Sequence, residues 1–366
     1  MKTLLAAAML AVVFVAAVPA FARADANQIY LDGLSLYQEG KYSEAERKFM
    51  EALGQDPRHL SSLFMMGETL SKDIRKLREA EGWYKKALRV GEKDKVYSAK
   101  LRFSLGVLYM EMGQYEESLK NFSELATQSP NYYDLPKVYN HMGVASYHLD
   151  RHDEALEFFK HALKLDPALR EATFNMKTLQ AQLSLINTGR YYERMGDDKA
   201  ASEQYQKAVD SYPNYVAAWY HLGLSALKKK EYQNAVKFLK RAYVINPGYM
   251  GGKEVPYQLA AAYRGRKEAG DLDEALALYR KTPQYKDSTL CVGVVLLEQG
   301  KLEDAETELD SAAMNGEDRK AQAEACYQLG RLYLLKGDKQ KAAVYHNKAQ
   351  DLAPGEDRYK SLPAGI

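Results

Sequence analysis

A glycine set in a helical apolar pattern recurs along this chain at Gly33, Gly67, Gly106, Gly143, Gly189, Gly223, Gly293 and Gly330, mostly at intervals of 33 to 39 residues. Twelve residues beyond most of these glycines stands a small residue, as at Ala45, Ala155, Ala201, Ala235, Ala305 and Ala342. Seven further on comes another, as at Ala52, Ala162, Ala208, Ala242, Ala312 and Ala349, and five later a proline often closes the series, at Pro57, Pro167, Pro213, Pro247 and Pro354. A repeat of this length constrains the fold more than composition can. Each unit is one supersecondary element that buries its apolar face only against its neighbours.

The pattern within a unit is that of two antiparallel helices. Glycine or alanine stands where the two backbones approach closely, large residues such as Phe49, Phe159 and Tyr205 fill the space between them, and proline ends the second helix because it has no N–H to donate. Turn residues fall between the helices, in Glu39-Gly40-Lys41, Met112-Gly113-Gln114, Met195-Gly196-Asp197, Gln299-Gly300-Lys301 and Lys336-Gly337-Asp338. There a glycine accepts the left-handed conformation that closes a helix end.

With the Trp-x-x-Leu-Gly opening at Trp219 to Gly223, the period and the Ala, aromatic, Ala, Pro series resemble the tetratricopeptide repeat. The resemblance implies an all-α, right-handed superhelical solenoid of about nine helical hairpins, over 26–59, 60–94, 99–132, 136–169, 182–215, 216–249, 253–285, 286–319 and 323–356. Two repeats are atypical: the second has an extra residue near Ile74, and the seventh has Ala260 in the glycine place and about three extra residues before Gly270. Between Gly143 and Gly189 the interval widens to 46 residues. No Pro or Gly interrupts the stretch from Ala168 to Thr188, so it reads as a first helix prolonged by 12 residues, roughly 18 Å at 1.5 Å per residue, or as a split helix. The expected organisation is a four-repeat block over 26–169, an extended linking helix over 170–188, a five-repeat block over 182–356 and a polar tail over 357–366.

The first residues set the expected compartment. Lys2 precedes an uncharged run from Thr3 to Ala22, strongly apolar from Leu4 to Val18, and Ala20-Phe21-Ala22 has the small-residue spacing that signal peptidase accepts. A signal peptide over 1–22, cut before Arg23, predicts a periplasmic or secreted protein. No later stretch is long and apolar enough for a membrane span. Basic and acidic residues number 51 and 49, and removal of Lys2 leaves them nearly balanced. Both signs alternate along the helices instead of clustering, so no nucleic-acid partner is expected.

No constellation carries catalytic or metal chemistry. His141 and His148 share a helix face, but no carboxylate or cysteine stands near them at zinc-ligand spacing. Gly251-Gly252 lies in an inter-repeat loop and not between a strand and a helix, so it is no phosphate cradle. Cys291 and Cys326 occupy different places in successive hairpins and read as two buried small hydrophobes. Neither a cofactor nor an enzymatic activity is expected.

Tetratricopeptide repeats meet ligands through the concave face formed by their first helices, and the resemblance implies the same here. Counting from the first residue of each repeat, position 5 holds Tyr30, Phe64, Phe103, Asn140, Ile186, Tyr220, Tyr257, Leu290 and Tyr327. Leu34, Val107, Val144, Leu224 and Val294 follow at position 9, and Arg190, Glu193 and Arg194 form a charged patch in the fifth repeat. The expected partner-binding groove comprises Tyr30, Phe64, Phe103, Asn140, Arg190, Arg194, Tyr220, Tyr257 and Tyr327, with the aromatics facing solvent and their phenols available to a peptide backbone. The clamp for chaperone C-termini is not expected, because positions 5 and 9 of the first three repeats hold Tyr30 with Leu34, Phe64 with Glu68 and Phe103 with Val107. The function expected is a non-enzymatic scaffold or adaptor that binds partner proteins during assembly of a cell-envelope complex such as a pilus, secretion, outer-membrane or cytochrome-maturation apparatus. The alternative is a helper of polysaccharide export that binds the polymer or tethers a synthase to an outer-membrane pore.

Overall fold

The computed structural model describes residues 19–359 except 284 and 317, with side chains from Ala26 onward. The signal-peptide reading falls outside the described residues up to position 18, as does most of the tail. Among the described residues there are eighteen α-helices and no strand: α1 Pro19–Gln38, α2 Tyr42–Gln55, α3 Leu60–Leu70, α4 Leu77–Val90, α5 Lys95–Glu111, α6 Tyr115–Gln128, α7 Leu135–His148, α8 His152–Leu165, α9 Arg170–Arg194, α10 Asp198–Ser211, α11 Val216–Lys228, α12 Tyr232–Ile245, α13 Glu254–Arg266, α14 Asp271–Lys281, α15 Ser288–Glu298, α16 Leu302–Asn315, α17 Arg319–Leu335 and α18 Lys339–Leu352. They pair in chain order as helical hairpins, the all-α solenoid class that the repeat implies. The chain divides into two units between Leu179 and Gln180, inside the 25-residue α9. In the first unit α2 packs on α3, α4 on α5 and α6 on α7; in the second, α10 packs on α11, α12 on α13, α14 on α15 and α16 on α17.

The recurring glycine sets how closely the two helices of a hairpin approach. A Cβ at Gly143 would lie 2.4 Å from the Phe159 ring, at Gly189 2.3 Å from that of Tyr205, and at Gly223 2.5 Å from Leu239 Cγ. In each case the opposing residue stands sixteen positions later, in the second helix. Phe49, Phe122 and Tyr205 are fully buried there, and the repeat alanines from Ala45 to Ala349 are at most 5% exposed. Glycine thus admits a large side chain that fills the hairpin at crystal-like density.

The helix ends follow from the same residues. Pro57, Pro167, Pro213, Pro247 and Pro354 each stand two residues beyond the end of a second helix, where the missing N–H and the constraint on the preceding residue stop helical propagation. The five turn glycines all take positive φ, from 69° at Gly113 to 79° at Gly337. Asp150 and Lys230 take the same conformation, at φ 63° and 61°, in the fourth and sixth repeats.

The two atypical repeats depart from the pattern in different ways. In the second, a short 3-10 turn at Ile74–Lys76 takes up the extra residue. Just before the seventh, a 3-10 segment at Tyr249–Gly252 with positive φ at Met250 leads into α13, and α13 ends on left-handed Lys267. Buried Asp271 ties that turn together: it accepts from Arg266 Nε at 2.9 Å, from Arg266 Nη2 at 2.7 Å and from the Glu268 N–H at 2.9 Å. Cys291 and Cys326 are buried and unpaired, and burial pushes the Cys291 thiol up to about 11.

Candidate partner-binding groove

In the second, sixth and seventh repeats position 5 meets position 2 of the following repeat, and the residue types at those two places decide the contact. Phe64 in α3 meets Lys100 in α5, whose ammonium lies 4.3 Å from the ring centroid, a cation–π contact. Asn140 in α7 accepts from Asn175 Nδ2 of α9 at 3.0 Å. Tyr220 in α11 donates to Glu254 Oε1 of α13 at 3.1 Å. Tyr257 in α13 donates to Asp287, just before α15. In the ninth repeat Glu324, again at position 2, accepts from the Tyr359 phenol at 2.9 Å and pairs with Arg358. Buried Tyr359, in the segment after α18, packs its ring 5.3 Å from Tyr327.

These contacts correct the expectation that the aromatics face solvent. Tyr220 is 5% exposed, Phe64 4% and Asn140 7%; Tyr30, Phe103, Tyr257 and Tyr327 are half-buried, and only Arg190 and Arg194 of the expected set are exposed. The physical reason is the spacing of the first helices. An aromatic ring at position 5 reaches the neighbouring first helix, so its burial is shared between two repeats. Burial, with the charge of Glu254, pushes the Tyr220 phenol far above its ordinary value. That proton therefore stays on oxygen and in its hydrogen bond.

Glu254 is the centre of the densest polar cluster on this face. It accepts from Tyr220, from Gln258 Nε2 at 2.8 Å, from the Tyr285 phenol and from Lys286 Nζ at 2.9 Å. Burial alone would raise its carboxyl, but the hydrogen bonds from Tyr285, Gln258 and Lys286 and the Lys286 charge outweigh it and hold the group at about 2. Sequence reasoning missed Glu254, Asp287 and Glu324. The signal was present: an acidic residue at position 2 in each of the last three repeats.

Next to this cluster the surface opens. A cavity of about 430 Å³ is walled by Lys286, Asp287, Leu290, Lys320, Glu324 and Arg358, among others. Its cations are matched within the protein, Lys286 by Glu254, Lys320 by Glu356 and Arg358 by Glu324. Leu290 stands at position 5 of its repeat, where no phenol closes the gap to Glu324. Leu34, Val107, Val144 and Leu224 at position 9 are half-buried, which leaves part of each exposed, whereas Val294 is buried. The histidines of the fourth repeat are used in packing: His141 stacks on Phe122 at 5.3 Å and His148 on Tyr115 at 4.3 Å.

Family models described as tetratricopeptide repeat match residues 97–168, 186–249 and 323–356. Over 199 residues the chain is 28% identical to human protein O-mannosyl-transferase TMTC1, an overlap of 46% of this chain and 21% of that protein, so the chain spans only a small part of that relative's length. Among solved structures, a tetratricopeptide repeat protein from Parabacteroides merdae is similar at 16% identity and a TM-score of 0.37, over 72% of this chain and 97% of that one. The tetratricopeptide domain of P58(IPK) is similar at 15% identity and 0.42, over 78% and 99%. YrrB, described as having an unusual peptide-binding site, is similar at 20% identity and 0.31, over 55% and 94%.

Proposed function

Since the chain is a tetratricopeptide-repeat protein, we propose that it is a non-enzymatic scaffold that holds partner proteins against the face formed by its first helices. The observation that carries this reading is the division of labour on that face. Phenols and carboxylates at positions 5 and 2 are occupied in joining repeats, while the half-exposed apolar groups Val107 and Leu224 stand four residues beyond Phe103 and Tyr220 on their own first helices. Side chains held by such contacts within a unit present apolar area at little ordering cost, which suits recognition of a peptide segment. Buried phenols held as hydrogen-bond donors and histidines stacked on aromatic rings offer no activated nucleophile or general base. The apolar run from Leu4 to Val18 followed by Ala20-Phe21-Ala22 favours work outside the cytoplasm, and an envelope assembly apparatus is the setting we favour. No helix among the described residues is long and apolar enough to cross a membrane.

Two measurements test the proposal. Sequencing the N-terminus of the purified protein should return Arg23; recovery of an intact Met1 from cytosol would remove the compartment. Val107→Arg with Leu224→Arg should weaken binding of a partner recovered from cell-envelope extract by tenfold or more, about 1.4 kcal/mol, while the urea midpoint stays near that of the parent. Unchanged affinity would exclude this face.

A further inference from the structure

Another open surface differs from the cavity beside Glu254 in one respect that bears on its occupant. It is a groove of about 650 Å³ between the start of α5 and the loop that follows α6, walled by Lys95, Val96, Lys100, Pro130, Tyr132 and Tyr133, among others, with no carboxylate in its lining. Most of the wall is apolar. Val96 is 77% exposed and Tyr133 86%, among the most exposed large apolar side chains of the described residues. Among the described residues neither Lys95 nor Lys100 has a carboxylate partner. The nearest acidic groups along the chain are already engaged: Asp94 accepts from the Val96 and Tyr97 N–H groups at the start of α5, and Asp134 pairs with Lys137 at 3.1 Å.

We propose that this groove docks an acidic segment of a partner protein that carries a bulky apolar side chain. Unlike the cavity beside Glu254, whose cations are paired within the protein, this one has two lysine ammonium groups with no carboxylate in contact beside an apolar floor. Charge complementarity therefore selects an anionic ligand and disfavours a basic one. The apolar wall selects against a ligand made only of hydroxyl and carboxylate groups, because desolvating such groups without hydrogen-bond partners is unfavourable. The groove is also held ready. Phe64 fixes Lys100 through the cation–π contact, and Tyr132 is packed between Phe103 at 6.1 Å and Tyr133 at 4.8 Å. Phe64 and Phe103 are position-5 residues, so the groove continues the first-helix face. The inference rests on the scaffold reading and adds the chemistry of the ligand.

The test uses the full mature chain and a fluorescein-labelled peptide in which aspartates flank one phenylalanine within a glycine-serine sequence, followed by fluorescence anisotropy. The peptide should bind, and Lys95→Glu with Lys100→Glu should weaken it roughly tenfold or more, an effect that shrinks as salt screens the charges. Lys95→Glu alone and Tyr133→Ser, both at exposed positions, should each weaken it by a smaller factor and guard against misfolding of the double variant. A peptide with lysine in place of aspartate should fail to bind. Absence of binding to the parent protein, equal binding by the double variant, or equal binding of the lysine peptide would overturn the proposal. So would binding of an oligogalacturonate in preference to the peptide, which would make the ligand a glycan. If the envelope partner remains sensitive to Val107→Arg and Leu224→Arg while the peptide arm fails, only this docking site falls; if both fail, the scaffold reading falls with it.

Discussion

Tyr220 shows that one aromatic residue at a repeat position can serve packing where a ligand contact is expected. Its ring is buried 5.7 Å from that of Tyr249 and its phenol donates to Glu254 of the next repeat, so Tyr220→Ala should lower stability by about 3 kcal/mol or more, as truncation of a buried aromatic does. Tyr220→Phe removes only a hydrogen bond to a charged acceptor that keeps other donors, and should cost about 1.5 kcal/mol. Urea unfolding of the pair measures both; an unchanged midpoint for the alanine variant would return Tyr220 to the solvent-facing groove. This burial was hard to see in the sequence, because it depends on Glu254, thirty-four residues away. The position-2 acids were legible only once position 5 was known to reach the following repeat. His221 gives an independent check. It stacks on Tyr205 at 4.8 Å, and burial, assisted by Arg190, lowers its imidazole from 6.5 to about 4. The folded state disfavours the imidazolium, so the unfolded chain binds the proton more readily between those values. The stability from neutral His221 is therefore complete above pH 6.5 and is lost as the pH falls toward 4. His221→Gln should flatten the stability profile in that window, and an unaltered slope would contradict the assignment. The Glu254 contribution is lost lower, as the pH falls from 4.5 to about 2.

At the scale of the helix, the hairpins were legible because each boundary has a local cause. Proline stops the second helix, glycine turns the chain, and the glycine at position 8 fixes which residue of the partner helix it faces. Gly223→Leu should overpack α11 against α12 by about 1 to 3 kcal/mol, since a Cβ there already falls 2.5 Å from Leu239 Cγ and 3.3 Å from the Leu239 backbone nitrogen. A lower urea midpoint with unchanged helix content is the expected result. An equal midpoint would mean that the register of that hairpin is different. Less legible were the turns without glycine. Asp150 and Lys230 adopt left-handed φ, a conformation that aspartate takes more readily than lysine does, so neither turn carries the glycine that marks the others. The 3-10 segment before α13 has Tyr249 buried and Met250 exposed.

For the molecule as a whole, the repeat count and the all-helical class follow from the sequence because they sum many small local signals. The candidate groove was only half legible. Its elements and register could be placed, but which side chains remain open to a partner depends on contacts between repeats. Those contacts close position 5 at Tyr220 and leave Lys95 and Lys100 without a carboxylate in contact. The claim that partners meet the first-helix face is tested most directly by photo-crosslinking in the native host. A benzophenone side chain is placed at Val107 or Leu224 on first helices, and at Met50 or Val244, 48% and 62% exposed on second helices, as controls. Adducts to a shared protein partner from the first-helix positions, with none from the controls, is the result predicted; adducts from the second-helix positions alone, or equally from both sets, would contradict it.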